Sequence, residues 1–189
     1  ITNDLMLPPE ERCIAQVFSE AGYATHYIGK WHMDGVDKPG FVPPGWRRRG
    51  FQTFEGFNRG HWYRDAADAR YFSDEGKLIK PNKYEPAYQA DLAIEFMKKN
   101  KDKPFFCFLS WGPPHTPLTP PSWINKQQIE GAIKPRPNVP QESLSDPKYK
   151  SNLAAYFGLC EALDLEMGRL LKSLDEMGLA ENTLVVFTS

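Results

Sequence analysis

The run Phe105-Phe106-Cys107-Phe108-Leu109-Ser110 is apolar at every successive residue up to its last. Successive side chains of a strand face opposite ways, so this run predicts a strand covered on both faces, as in a parallel sheet packed between helices. A second run of the same kind, Thr183-Leu184-Val185-Val186-Phe187-Thr188-Ser189, predicts another such strand. Tyr23-Ala24-Thr25-His26-Tyr27-Ile28 is β-branched and aromatic and predicts a third.

Parallel strands need crossovers, and helical periodicity lies where crossovers are needed. Pro9 to Ala21 reads as a helix, with Pro8-Pro9 at its start, Ile14, Val17, Phe18 and Ala21 at helical spacing, and Gly22 as its stop. Glu85 to Lys99 reads as a second, with Ala90, Ala93, Ile94 and Met97 on its inner face. The longest begins at Asp146-Pro147, N-cap and first helical residue, carries Leu153, Tyr156, Phe157, Cys160, Leu163, Met167, Leu170, Leu171 and Leu174, and ends at Gly178.

Between these elements lie two irregular stretches. Residues 33–84 are rich in Gly, Pro, Arg and aromatics and predict long ordered loops with a short hairpin near Tyr71 to Ile79. Residues 118–145 are Pro-rich and predict a second long loop. The expected fold is α/β: a mostly parallel sheet flanked by helices, with long loop insertions, in one domain.

A formal net charge of −1 supplies no basic field for nucleic acid and no polybasic surface for a membrane. No apolar run is long enough to span a bilayer. The three cysteines, Cys13, Cys107 and Cys160, have no metal-type spacing and sit in apolar segments, so they read as buried thiols.

In open α/β sheets, ligands bind beyond the carboxyl ends of the strands. Lys30 and His32 follow one strand, His115 follows the next, and all three should share that edge. Two apart in extended geometry, Lys30 and His32 point the same way. An ammonium beside an imidazole suits an oxyanion such as sulfate or phosphate; a surface lysine and a backbone-satisfied histidine is the plainer alternative. His115 lies in Pro113-Pro114-His115-Thr116-Pro117, a stiff segment suited to a positioned side chain and equally to a turn histidine. Asn58-Arg59-Gly60-His61-Trp62-Tyr63 pairs cations with aromatics, as a sugar-binding wall or a packed loop would. Asp65 and Asp68 read as solvated. No nucleophile elbow, dinucleotide fingerprint or P-loop occurs.

Glu20-Ala21-Gly22-Tyr23 followed by Gly29-Lys30-Trp31-His32 resembles the sulfatase family of the alkaline phosphatase superfamily, as do Pro114-His115-Thr116-Pro117, Leu163-Asp164 through Gly168-Arg169-Leu170-Leu171, and Gly178-Leu179-Ala180-Glu181-Asn182-Thr183. The segments run in the family's order over nearly the whole chain. The resemblance implies an alkaline-phosphatase-like fold and hydrolysis of sulfate esters of a small molecule or glycan. It also implies a calcium ion and a formylglycine nucleophile made from Cys or Ser in a CxPSR-like segment. By the same resemblance Lys30 and His32 lie near the sulfate and the nucleophile's hydroxyl, His32 helps collapse the sulfated intermediate, and His115 binds sulfate or protonates the leaving oxygen. Lys30, His115, Arg59 and His61 are the expected substrate contacts.

The family's Asp pair and CxPSR segment are expected to precede Ile1, and its Asp-His/Asn-Gly metal segment to follow Ser189. The chain is thus expected to be an internal piece, inactive alone, without metal ligands of its own and prone to self-association through an open sheet edge. Family analogy places the parent in a periplasmic, secreted or lysosomal compartment. Two other readings stay open: a phosphonate or phosphate-ester hydrolase of the same superfamily, and a non-catalytic or truncated domain that binds sulfated glycans.

Overall fold

The structure is a computed structural model, and it describes residues 5–35, 40–60 and 70–188. Helix α1 spans Ile14–Glu20, strand β1 Ala24–Lys30, β2 Thr53–Phe57, β3 Tyr71–Phe72, β4 Leu78–Ile79, helix α2 Glu85–Lys99 and strand β5 Phe105–Ser110. Helices α3 (Lys126–Ala132), α4 (Gln141–Ser145) and α5 (Pro147–Glu176) follow.

The sheet order is β4-β3-β2-β1-β5, with β1 parallel to both β2 and β5 and the β3–β4 hairpin antiparallel. The expected parallel core is present with one member exchanged. Its third strand is β2, inside the stretch read as loop, while residues 183–188 form no ladder. Leu184, Val186 and Phe187 are instead largely exposed. Apolar, β-branched composition favours a pleated, half-buried surface but does not supply the partner whose amides complete a ladder. β5 is accordingly an edge strand, half-buried rather than covered on both faces, with Phe108 exposed.

The alternation of β1 sorts the core into two layers. Tyr27 and Trp31 face α1, where Ala15, Val42, Phe51 and Phe54 join them. Tyr27 stacks between Phe54 and Phe108 at ring separations of 5.1 and 5.3 Å. Ile28 faces the other way, onto Phe57, Tyr71, Leu92 and Ala93, with Leu170 of α5 packed against the group. α2 and α5 are joined by Arg169, which reaches Asp91 at 2.5 Å and donates to the Ala87 carbonyl at 2.8 Å.

α2 and β5 fall where the sequence places them. α5 begins at its expected cap, Asp146, whose carboxylate accepts from the Lys148 amide at 2.8 Å. α1 is shorter than expected. Pro8 and Glu11 close a turn, and the helix starts after Cys13, whose amide donates to Gln16 Oε1 at 2.8 Å. Its buried face is also rotated: Ala15 is enclosed and Phe18 stacks on Phe106 at 4.5 Å, while Ile14 and Val17 are exposed. The hairpin at Tyr71 to Ile79 is present, and the Pro-rich stretch carries two short helices, α3 and α4. The cysteines are free and half-buried, not enclosed, although burial of the Cys107 sulfur pushes its thiol up to about 12. Among the described residues no helix is long and apolar enough to cross a membrane.

Candidate active site

β1 and β5 run in parallel register, Gly29 opposite Ser110, so the segments leaving both strands emerge at one sheet edge. Gly29 has φ 110°, and a Cβ on it would stand 2.1 Å from the Ser110 carbonyl oxygen. A Cβ on Gly56 of β2 would stand 2.1 Å from the Gly29 carbonyl oxygen. Only glycine permits backbones this close. Three strand ends are thereby drawn together where Lys30 begins.

Lys30 closes β1 on the same face as Ile28, the face that packs on α2. Its carbonyl accepts from the Tyr27 hydroxyl, so a ring held in the aromatic stack fixes the strand's exit. The ladder then continues for two residues: Trp31 donates to the Phe57 carbonyl at 2.9 Å and His32 to the Asn58 carbonyl at 2.7 Å. At His32 the backbone turns left-handed, with φ 56°. The extended geometry that would point Lys30 and His32 the same way therefore ends at His32. Asn58, fully buried, holds the turn: its Oδ1 accepts from the Asp34 amide at 3.2 Å and its Nδ2 donates to the Gly35 carbonyl at 3.0 Å. The sequence left Asn58 between a substrate wall and a packed loop; its side chain ties down the loop that carries His32.

Arg59 follows Asn58 directly and completes a cationic group. Lys30 is held below the ordinary lysine range, first by burial and then by the Arg59 charge, with Glu85 opposing. His32 is held below the ordinary imidazole range by burial, then by Lys30 and Arg59. Arg59 thus disfavours charge on Lys30 and His32, and Lys30 disfavours it on His32, a repulsion that an anion beside them would relieve. His61 lies outside the described residues, as do Asp65 and Asp68.

His115 is exposed in the loop past β5. Its amide donates to the Gly112 carbonyl at 3.2 Å, and its Nδ1 meets the Thr116 carbonyl at 2.7 Å. A carbonyl can only accept, so Nδ1 carries the proton and Nε2 holds the lone pair of the neutral ring. The topology thus brings Lys30, His32, Arg59 and His115 to one edge.

Sequence reasoning missed Glu85, read there only as a residue of the α2 start. It is 1% exposed, accepts from Gln89 Nε2 at 2.6 Å, and burial pushes its carboxyl up to about 8. A groove of ≈ 510 Å³ around His26, Glu55, Glu95 and Lys99 lies at the opposite, amino-terminal end of the strands, away from this edge. Among the described residues no three His, Cys, Asp or Glu side chains form a group that could hold a metal ion. The described residues therefore offer calcium no donor set.

A family model described as Sulfatase matches residues 6–189. An ulvan-active sulfatase from Formosa agariphila is 34% identical over 192 residues, which cover 99% of this chain and 36% of the relative. The solved structure of yidJ from Bacteroides fragilis superposes with a TM-score of 0.77 at 26% identity, covering 94% of this chain and 43% of that one. A structure solved with its substrate D-glucosamine-2-N,6-O-disulfate superposes with a TM-score of 0.68 at 19% identity, covering 96% of this chain and 50% of that one. The chain spans less than half the length of the curated relatives it matches. The sheet is that of the alkaline-phosphatase-like fold these proteins share, and the motifs at Lys30 and His115 follow the carboxyl ends of its strands; the chain belongs to the sulfatase family.

Proposed function

We propose that this chain forms the oxyanion-binding part of an enzyme that hydrolyses sulfate esters. The cationic group at the carboxyl edge of β1 carries the reading: Arg59 bears on the charge of both Lys30 and His32, and Lys30 on that of His32. Lys30 offers a compact positive charge to a sulfate oxygen. His32, depressed toward its neutral form, can move a proton near neutral pH without adding to the repulsion. His115 converges on the same anion from the β5 side. Its Nδ1 is engaged by the Thr116 carbonyl, which leaves Nε2 as the ring atom to serve a sulfate or leaving oxygen. In the family a formylglycine would supply the covalent chemistry and a calcium ion a Lewis acid; the described residues contain no donor set for the ion.

A sulfated sugar is the substrate class this reading favours. One relative is by its name active on ulvan, and one fold neighbour was solved holding a disulfated glucosamine. Arg59 and His61 would meet the sugar. The isolated chain should show no turnover of an aryl sulfate with added calcium, because positioned donors alone cannot perform the covalent step.

The test is titration of the chain with inorganic sulfate, following the His32 and His115 ring signals by NMR. Joint shifts that fit one binding constant support the reading. Signals that move independently, or only one that moves, exclude a shared site. Inorganic phosphate in a parallel titration addresses the phosphate-ester alternative, since both anions are tetrahedral.

A further inference from the structure

Near the cationic group, at the first turn of α2, two acceptor oxygens are enclosed without a hydrogen-bond partner, Glu85 Oε2 and Gln89 Oε1, and the Tyr71 hydroxyl lies beside the Gln89 side chain. α2 runs back from the β2 side to β5, so its first turn sits at the carboxyl edge of the strands. It sits on the face toward which Ile28 and Lys30 point. Glu85 and Gln89 are one helical turn apart, and Gln89 Nε2 donates to Glu85 Oε1 at 2.6 Å. That contact uses Gln89 Nε2 and Glu85 Oε1 and leaves Glu85 Oε2 and Gln89 Oε1 without a partner. Two acceptors cannot satisfy one another, but a carboxyl proton shared between them satisfies both.

We propose that Glu85 is carried as a neutral carboxylic acid in a two-point pair with Gln89, and that its ionisation sets how much positive charge the Lys30, His32 and Arg59 group presents to an anion. Glu85 is a positioning residue in this role: it touches no substrate and acts through Lys30. The second half of the proposal rests on the oxyanion reading above; the first half does not.

The surroundings fit. Tyr71 approaches from β3, Tyr88 packs on the Tyr71 ring at 5.3 Å, and Lys30 approaches from β1. Burial and the absence of a direct cation partner at Oε2 hold the proton on the acid. Lys30 pulls the other way. When the acid ionises, its carboxylate opposes the Lys30 charge and cancels part of the field that an incoming sulfate would feel. One unit charge several ångström away in a partly screened site changes anion affinity by about threefold to tenfold.

The experiment uses the 189-residue chain with ¹³C-labelled glutamate, titrated by NMR from acid to alkaline pH, with Glu85 assigned by Glu85→Gln. One carboxyl signal should titrate above neutrality, apart from the others, and disappear in the variant. Lys30→Met should move that midpoint higher. Inorganic sulfate is the probe in the second arm. Wild type should lose affinity by about threefold to tenfold across that midpoint, beyond any loss seen in Glu85→Gln. If no glutamate carboxyl of the wild type titrates above neutrality, the proposal is overturned, and that outcome needs no variant to fold. A high midpoint with equal sulfate loss in both proteins overturns the charge-setting role. A high midpoint with no sulfate binding at any pH overturns the anion-site reading and the charge-setting role, and supports the acid pair alone.

Discussion

Gly29 of β1 lies against Ser110 of β5 so closely that a methyl on Gly29 would stand 2.1 Å from the Ser110 carbonyl oxygen. The contact lies one residue before Lys30 and holds the Lys30 and His115 segments at a single edge. Gly29→Ala must either move a strand or break the β1–β5 register, and φ 110° is hostile to any Cβ. It should destabilise the chain by about 3 kcal/mol or more. Urea unfolding followed by circular dichroism measures this, and a loss within experimental error of zero would mean that the strands are not in this contact.

Lys30→Met keeps the length of the side chain's apolar stem and removes the charge. It should weaken inorganic sulfate binding about tenfold while leaving the amide spectrum of β1 and β2 in place. Unchanged affinity would remove Lys30 from the anion site.

His26 makes stability depend on pH. It is 3% exposed, its Nδ1 meets Thr53 Oγ1 at 2.7 Å, and its ring stacks on Phe96 at 4.7 Å. Burial lowers it from 6.5 to about 4. The fold holds the neutral ring, so its contribution is fully present above pH 6.5 and is lost as pH falls through about 4. Over that window the loss amounts to roughly 3 kcal/mol. Glu85 has the opposite sign: an acid raised to about 8 contributes stability below its ordinary value and loses it as pH rises toward 8. The two slopes overlap in mildly acidic solution. Thermal melts of His26→Gln and Glu85→Gln should each remove one of them, and a variant with the wild-type pH profile would show that its residue does not titrate as described.

The N-terminus of α5 depends on one side chain. Asp146 accepts from the Lys148 amide, and Pro147 occupies the first helical position. Asp146→Ala should cost about 1 kcal/mol. Urea denaturation is the measure, and the slope with denaturant should stay the same because the exposed surface does not change.

α2, β5 and α5 were legible in the sequence because each is marked by local chemistry: Ala90, Ala93, Ile94 and Met97 at helical spacing, an unbroken apolar run, an Asp-Pro cap. β2 was not. Thr53-Phe54-Glu55-Gly56-Phe57 is short and flanked by glycines, and its glycine is there for the approach of the Gly29 backbone, a reason visible only once the strands are paired. Thr183 to Thr188 had the stronger strand composition and forms no ladder, because pairing is decided by a neighbour and composition has none to offer. The edge carrying Lys30, His32 and His115 followed from strand direction alone. The left-handed turn at His32, the Asn58 clamp and the buried Glu85 did not, since each depends on contacts between residues distant in sequence or on burial that no local pattern records.

β5 bonds to β1 along one side and has no partner strand on the other among the described residues. Its amides point alternately toward β1 and away from it. In deuterated water those two sets should part company. Amides facing β1 should be released only when the sheet opens, while the outward ones trade hydrogen with the solvent from the folded state. The strand would write its own position in the sheet as a two-residue rhythm of fast and slow exchange, and any partner that settled on that edge would be read as the loss of the fast half.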